Sequence, residues 1–134
     1  AINAANIGAD FSAPHKAAVE VITRGLLDIG LIKNMSVEEA IELKEYMKFF
    51  MHRTGHWLGL DVHDVGSYKN RLSNGMTLTV EPGIYISPSE EIPESFWNIG
   101  IRIEDDILIQ TSGCEILTRE VPVDPSEIEF CMKS

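Results

Sequence analysis

The chain has 134 residues, 44% of them hydrophobic, and 21 acidic against 11 basic side chains give a formal net charge of −10. That length suits one domain with its own core, the acidic balance opposes nonspecific nucleic-acid binding, and no apolar run approaches the roughly 20 residues a membrane helix needs. Its two cysteines, Cys114 and Cys131, form no Cys-x-x-Cys pair and no disulfide framework, so a reducing, cytoplasmic compartment is expected. The opening Ala-Ile-Asn-Ala-Ala-Asn has neither an initiator Met nor a signal segment and reads as the interior of a longer polypeptide.

In chain order, Ser12 and Ala13 precede Pro14, which suits a first helical turn. Ala17, Ala18, Val21, Ile22, Leu26, Leu27 and Ile29 then supply a helical stripe ending near Gly30. His15, in the first turn, receives no role. A second helix is expected to open at Ser36, with Glu39 at the capping-box position, and to run through Ile41, Leu43 and Tyr46 towards Phe49. After Phe50 the pattern changes. Asn74-Gly75 signals a turn, Met76 to Glu81 alternate as a strand, Pro82-Gly83 break it, and Ile84-Tyr85-Ile86 form a short strand. Residues 87–98 read as a polar loop, and Ile99 to Ile109 as one alternating strand with Ile101 and Ile103 on one side, Arg102 and Glu104 on the other. Gly113 turns the chain before Cys114, and the acidic tail is weakly helical. The expectation is an antiparallel sheet accompanied by helices, without repeats or an internal domain boundary.

Residues 51–64 hold His52, His56 and His63, three of the four histidines. Such clustering points to a metal site, a proton shuttle or both. The bland alternative is a half-buried strand and turn whose histidines satisfy local hydrogen bonds. Gly55 and Gly59 interrupt the stretch, and no His-Glu-x-x-His occurs. Glu81 and Glu104 each lie in strand-like sequence otherwise suited to burial, where an unpaired carboxylate is costly. With His56 they make a nitrogen and oxygen donor set suited to Mn²⁺, Zn²⁺, Co²⁺ or Fe²⁺. The competing reading leaves Glu81 solvated and pairs Glu104 with Arg102.

Three segments in order, Phe-Met-His-Arg-Thr-Gly-His-Trp-Leu-Gly-Leu-Asp-Val-His-Asp, Leu-Thr-Val-Glu-Pro-Gly-Ile-Tyr-Ile and Gly-Ile-Arg-Ile-Glu-Asp-Asp, closely resemble the signature of Xaa-Pro aminopeptidase (aminopeptidase P). That family stands in a larger group with prolidase, methionine aminopeptidase and creatinase. The resemblance covers residues 49–119 well and the preceding helices more loosely. It implies the pita-bread α/β fold, a curved antiparallel sheet backed by helices. It also implies a dinuclear centre, usually Mn²⁺, acting on a peptide substrate with proline in second position. On this resemblance His56, Glu81 and Glu104 are the metal ligands, and Glu81 also accepts a proton from the attacking water. His52 and His63 are catalytic non-ligands, and Arg102 orients carboxylates. Tyr85 matches a family tyrosine near the site, although an aromatic strand residue is more often core.

Two departures qualify the match. Arg53 stands where relatives commonly have Gly. The family's two further aspartate ligands, in an Asp-x-Gly…Asp pattern, find no counterpart in residues 1–50, and Asp10 and Asp28 lie in or beside helix-forming sequence. Residues 1–134 are therefore expected to be the C-terminal portion of a catalytic domain, inactive and metal-deficient alone, and prone to homo-oligomerisation along an unpaired sheet edge. The alternatives are a prolidase-type dipeptidase and a non-catalytic pita-bread binding module. Retention of all three ligand positions argues against the latter.

Overall fold

The computed structural model describes residues 1–133. Helix α1 spans Ala13–Asp28, with Ser12 at its N-cap and Pro14 in its first turn, where the missing N–H of proline leaves no helical bond unmade. Its buried residues are Pro14, Ala18, Val19, Thr23 and Leu26. The inward stripe therefore includes Val19 and Thr23 and leaves Val21 69% exposed, contrary to the expected stripe. Two residues correspond to about 200° of helical rotation, so Val21 shares no face with either neighbour.

Helix α2 covers only Val37–Glu42. Its start is the expected one: the Ser36 hydroxyl accepts the Glu39 N–H at 3.1 Å while the Glu39 carboxylate accepts the Ser36 N–H at 2.7 Å. Lys44 then takes a left-handed φ of 58° and a single 3-10 turn, Glu45–Lys48, follows. The helix expected to continue to Phe49 is broken because the following residues have other partners. The Phe49 carbonyl accepts the Tyr85 N–H at 2.8 Å, and Phe49 and Phe50 are buried in two different clusters.

The strands are β1 (Thr77–Val80), β2 (Gly83–Ile86), β3 (Ile99–Arg102), β4 (Asp105–Gln110) and β5 (Gly113–Ile116). All pairings are antiparallel among the described residues, with order β1-β4-β5 in one sheet and β2-β3 in the other. Val80 pairs with Asp105 and Gly83 with Arg102. These two pairs belong to one continuous register, so β1–β2 and β3–β4 form two long arms interrupted at the same level. Glu81-Pro82 interrupts one arm, and Ile103-Glu104 directly opposite interrupts the other. Pro82 has no N–H to give to a ladder, while its carbonyl still accepts the Ile103 N–H at 3.2 Å.

The run from Ile99 to Ile109 is thus two strands rather than one. Ile101 and Ile103 are 57% and 47% exposed, and Glu104 is exposed as well, so the segment carrying Glu104 is not the buried one its alternation suggested. Alternation specifies which residues share a face, but not whether anything covers that face.

The three-stranded sheet packs Leu78, Val80, Ile107 and Ile109 against Phe11 and Trp57. The two-stranded sheet meets the helices through Ile86, Leu26, Ala40 and Phe49. A last helix, α3 (Pro125–Cys131), is capped by the Asp124 carboxylate. Among the described residues, no helix is long and apolar enough to cross a membrane.

Candidate metal centre

Residues 54–58 run irregularly along β1. The Glu81 N–H donates to the Thr54 carbonyl at 2.7 Å, the Thr79 N–H to the His56 carbonyl at 3.0 Å, and the Leu58 N–H to the Thr77 carbonyl at 3.2 Å. Gly55 permits this approach, since a Cβ there would lie 2.1 Å from the Thr79 carbonyl oxygen. The pairing sets His56 beside Glu81, and the opposed breaks in the two arms set Glu81 across from Glu104.

His56 Nδ1 lies 2.9 Å from the Trp57 carbonyl. A carbonyl only accepts, so Nδ1 carries a proton and Nε2 is the ring nitrogen that faces the cleft. Nε2 lies 3.4 Å from Glu81 Oε1, a spacing that suits two donors to one cation. One donor atom each from His56, Glu81 and Glu104 falls within 4.8 Å of the others. Imidazole and carboxylate donors at this spacing fit a divalent metal ion.

Glu81 is only 9% exposed and its carboxylate is held at both oxygens. The Thr79 hydroxyl accepts the His56 N–H at 3.1 Å and donates to Glu81 Oε1 at 3.2 Å. Arg102 Nη1 stands 3.5 Å from Glu81 Oε2. Arg102 Nε also donates to the Tyr85 hydroxyl at 2.7 Å, a contact that raises the guanidinium pKa above its ordinary value. The Tyr85 hydroxyl in turn lies 3.1 Å from His52 Nε2. His52 Nδ1 is 2.8 Å from the Arg53 carbonyl, so Nδ1 donates there and Nε2 is the nitrogen that meets Tyr85. The result is a chain of contacts from Arg102 through Tyr85 to His52. His63 is exposed and sets its ring edge-on to His56, with centroids 4.3 Å apart.

The structure therefore brings His52, His56, His63, Glu81 and Arg102 around one cleft, with Glu104 in reach of His56 and Glu81. Sequence reasoning undervalued two residues. Tyr85 is a connecting group rather than core. His15 places Nδ1 2.9 Å from the Thr54 hydroxyl, fixing the loop between His52 and His56, and no local signal announces a contact across 39 residues of chain. Burial, then the Arg53 and His52 charges, hold the His15 imidazole below its ordinary pKa.

Residues 1–111 match the sequence profile of metallopeptidase family M24. The Xaa-Pro aminopeptidase of Haemophilus influenzae is 50% identical over 118 residues, 85% of this chain and 27% of that protein. The structure of Pseudomonas aeruginosa aminopeptidase PepP superimposes with a TM-score of 0.93 at 44% identity, covering 98% of this chain and 31% of that one. Aminopeptidase P from Escherichia coli with the inhibitor Pro-Leu gives a TM-score of 0.88 at 43% identity, over 98% of this chain and 30% of that one. The chain spans about a quarter of the length of the curated relatives it matches. Its mixed helices and antiparallel strands follow the pita-bread fold of those enzymes. With the fold, the three motifs and the family profile in agreement, the chain belongs to metallopeptidase family M24.

Proposed function

We propose that the protein carrying this chain is a metal-dependent Xaa-Pro aminopeptidase, which hydrolyses the N-terminal residue preceding proline, and that residues 1–134 are the C-terminal portion of its catalytic domain. The observation that carries this reading is the convergence of His56, Glu81 and Glu104 within 4.8 Å, with His56 Nε2 3.4 Å from Glu81 Oε1. These three residues hold metal, with Mn²⁺ the proposed native ion in a two-ion centre. When bound, the ions supply Lewis acidity at the scissile carbonyl and acidify water.

The chain's own residues do the rest. Glu81, held by Thr79 and Arg102, accepts the proton that the attacking water loses. His63, exposed at the cleft and packed on His56, hydrogen-bonds the substrate as charge develops on its oxygen, and His52, held between the Arg53 carbonyl and the Tyr85 hydroxyl, lines the cleft where the substrate lies. Arg102 keeps the Glu81 carboxylate turned and partly neutralised.

Further ligands from the rest of the protein are required for two ions, so the 134-residue chain alone is proposed to be inactive. Its exposed Ile29, Ile101 and Ile103 border an apolar groove with Ile22, Ile84 and Phe96, which supports self-association when the chain stands alone. To separate aminopeptidase from prolidase chemistry, the full-length protein is assayed with Mn²⁺ on Ala-Pro-Ala and on the dipeptide Ala-Pro. Turnover of the tripeptide supports the proposal, whereas turnover confined to the dipeptide assigns a prolidase.

A further inference from the structure

Two guanidinium groups line the cleft, Arg53 and Arg102, and they are in different situations. Arg102 is committed to the Tyr85 hydroxyl and the Glu81 carboxylate. Arg53 is exposed, and among the described residues no carboxylate stands within ion-pair distance of it. In a chain with a formal charge of −10, a cation left without a carboxylate inside the candidate active-site cleft is a position for a ligand's charge.

Nor is the side chain loose. Its guanidinium carbon lies 5.7 Å from the centroid of the Tyr68 ring, and Tyr68 stands edge-on to the buried Phe11 with centroids 4.9 Å apart. Stacking of this kind orients the planar group while leaving its N–H donors at the edge free. The backbone is fixed on both sides. The Arg53 carbonyl takes His52 Nδ1 at 2.8 Å. Thr54 is buried, with its hydroxyl 2.9 Å from His15 Nδ1 and its carbonyl on the Glu81 N–H. A cation held in place before the ligand arrives loses less freedom on binding.

We propose that Arg53 forms a carboxylate-binding subsite of the cleft, selecting peptides that carry a free carboxylate. The inference rests on the aminopeptidase reading above. A short peptide is a dipole, with an ammonium at one end and a carboxylate at the other. Arg53 attracts the carboxylate end and repels the ammonium end, so charge complementarity sets which end of the peptide lies beside it. The planar fork of arginine matches a carboxylate with two parallel hydrogen bonds. The same chemistry is offered by the C-terminal carboxylate of a short peptide and by an acidic first side chain.

The test uses the full-length protein loaded with Mn²⁺ and two substrate pairs: Ala-Pro-Ala against its C-terminal amide, and Glu-Pro-Ala-amide against Gln-Pro-Ala-amide. kcat/KM is measured for the wild type, Arg53→Ala and Arg53→Lys. The expected wild-type result is a preference of about five- to tenfold for the carboxylate-bearing member of one pair, and the pair that shows it identifies the source. In Arg53→Ala that ratio falls to near one, with the change in KM. Arg53→Lys keeps part of it, as a point charge without the fork. No preference in either pair, or a preference that survives in Arg53→Ala, overturns the subsite while leaving the aminopeptidase reading intact. Failure of the wild type to cleave any of the four peptides overturns both.

Discussion

His56 Nε2 and Glu81 Oε1 lie 3.4 Å apart, with His56 Nδ1 turned away to the Trp57 carbonyl. A nitrogen and a carboxylate oxygen at this spacing suit one divalent ion. The fold enforces the arrangement through backbone pairing of residues 54–58 with β1.

The Thr79 hydroxyl serves both proposed ligands at once, accepting from the His56 backbone and donating to Glu81, and it is buried. Thr79→Val keeps the shape and removes both bonds. Unfolding in denaturant is expected to show a loss of about 1–3 kcal/mol, and metal titration a fall in affinity of about 10- to 100-fold. Thr79→Ser retains most of each. A Thr79→Val protein with unchanged metal affinity would show that the hydroxyl does not position the ligands.

His63 packs on a ligand without being one in this account. His63→Ala in the full-length protein is expected to reduce turnover about 100-fold or more while its metal content, read by elemental analysis, stays at the wild-type level. Parallel loss of metal and turnover would place His63 among the ligands.

His15 gives the pH dependence a sign. Burial, then Arg53 and His52, depress its pKa in the folded state, so the unfolded chain binds the proton more readily. The stability this confers is fully present above the ordinary imidazole value and is lost as pH falls through it towards the folded value. Following the His15 ring by NMR should show its pKa rise in Arg53→Gln. No change in that variant would contradict the part assigned to the Arg53 charge.

Where the sequence was legible, the signals were local. Pro14 and the Ser36–Glu39 box mark helix starts because the atoms that cap a helix lie within one turn. Asn74-Gly75 marks its turn because Gly75 must take a positive φ, here 86°. Glu81 and Glu104 were legible through their motifs, whereas the opposed breaks that bring them together emerge only from the strand register. The interruption at Lys44 was hidden, since it is dictated by the Phe49 carbonyl pairing with Tyr85 far along the chain. Thr79 looked like an ordinary strand threonine. The exposure of Ile101 and Ile103 was invisible for the reason that alternation carries no information about what covers a face.

The 134-residue chain by itself presents three ligand residues in one cluster, and affinity follows ligand number and preorganisation. After dialysis against Mn²⁺ and then metal-free buffer, it is expected to retain at most one ion, weakly, and to leave Ala-Pro-Ala intact. Two tightly retained ions with turnover would mean that the chain supplies further ligands of its own.

Whether His56, Glu81 and Glu104 hold the catalytic metal of an Xaa-Pro aminopeptidase is decided by elemental analysis of the full-length protein paired with hydrolysis of Ala-Pro-Ala on the same sample. The wild type is expected to hold two ions and to turn over, and Glu81→Ala to lose bound metal together with turnover. Full metal content and undiminished turnover in Glu81→Ala would contradict it.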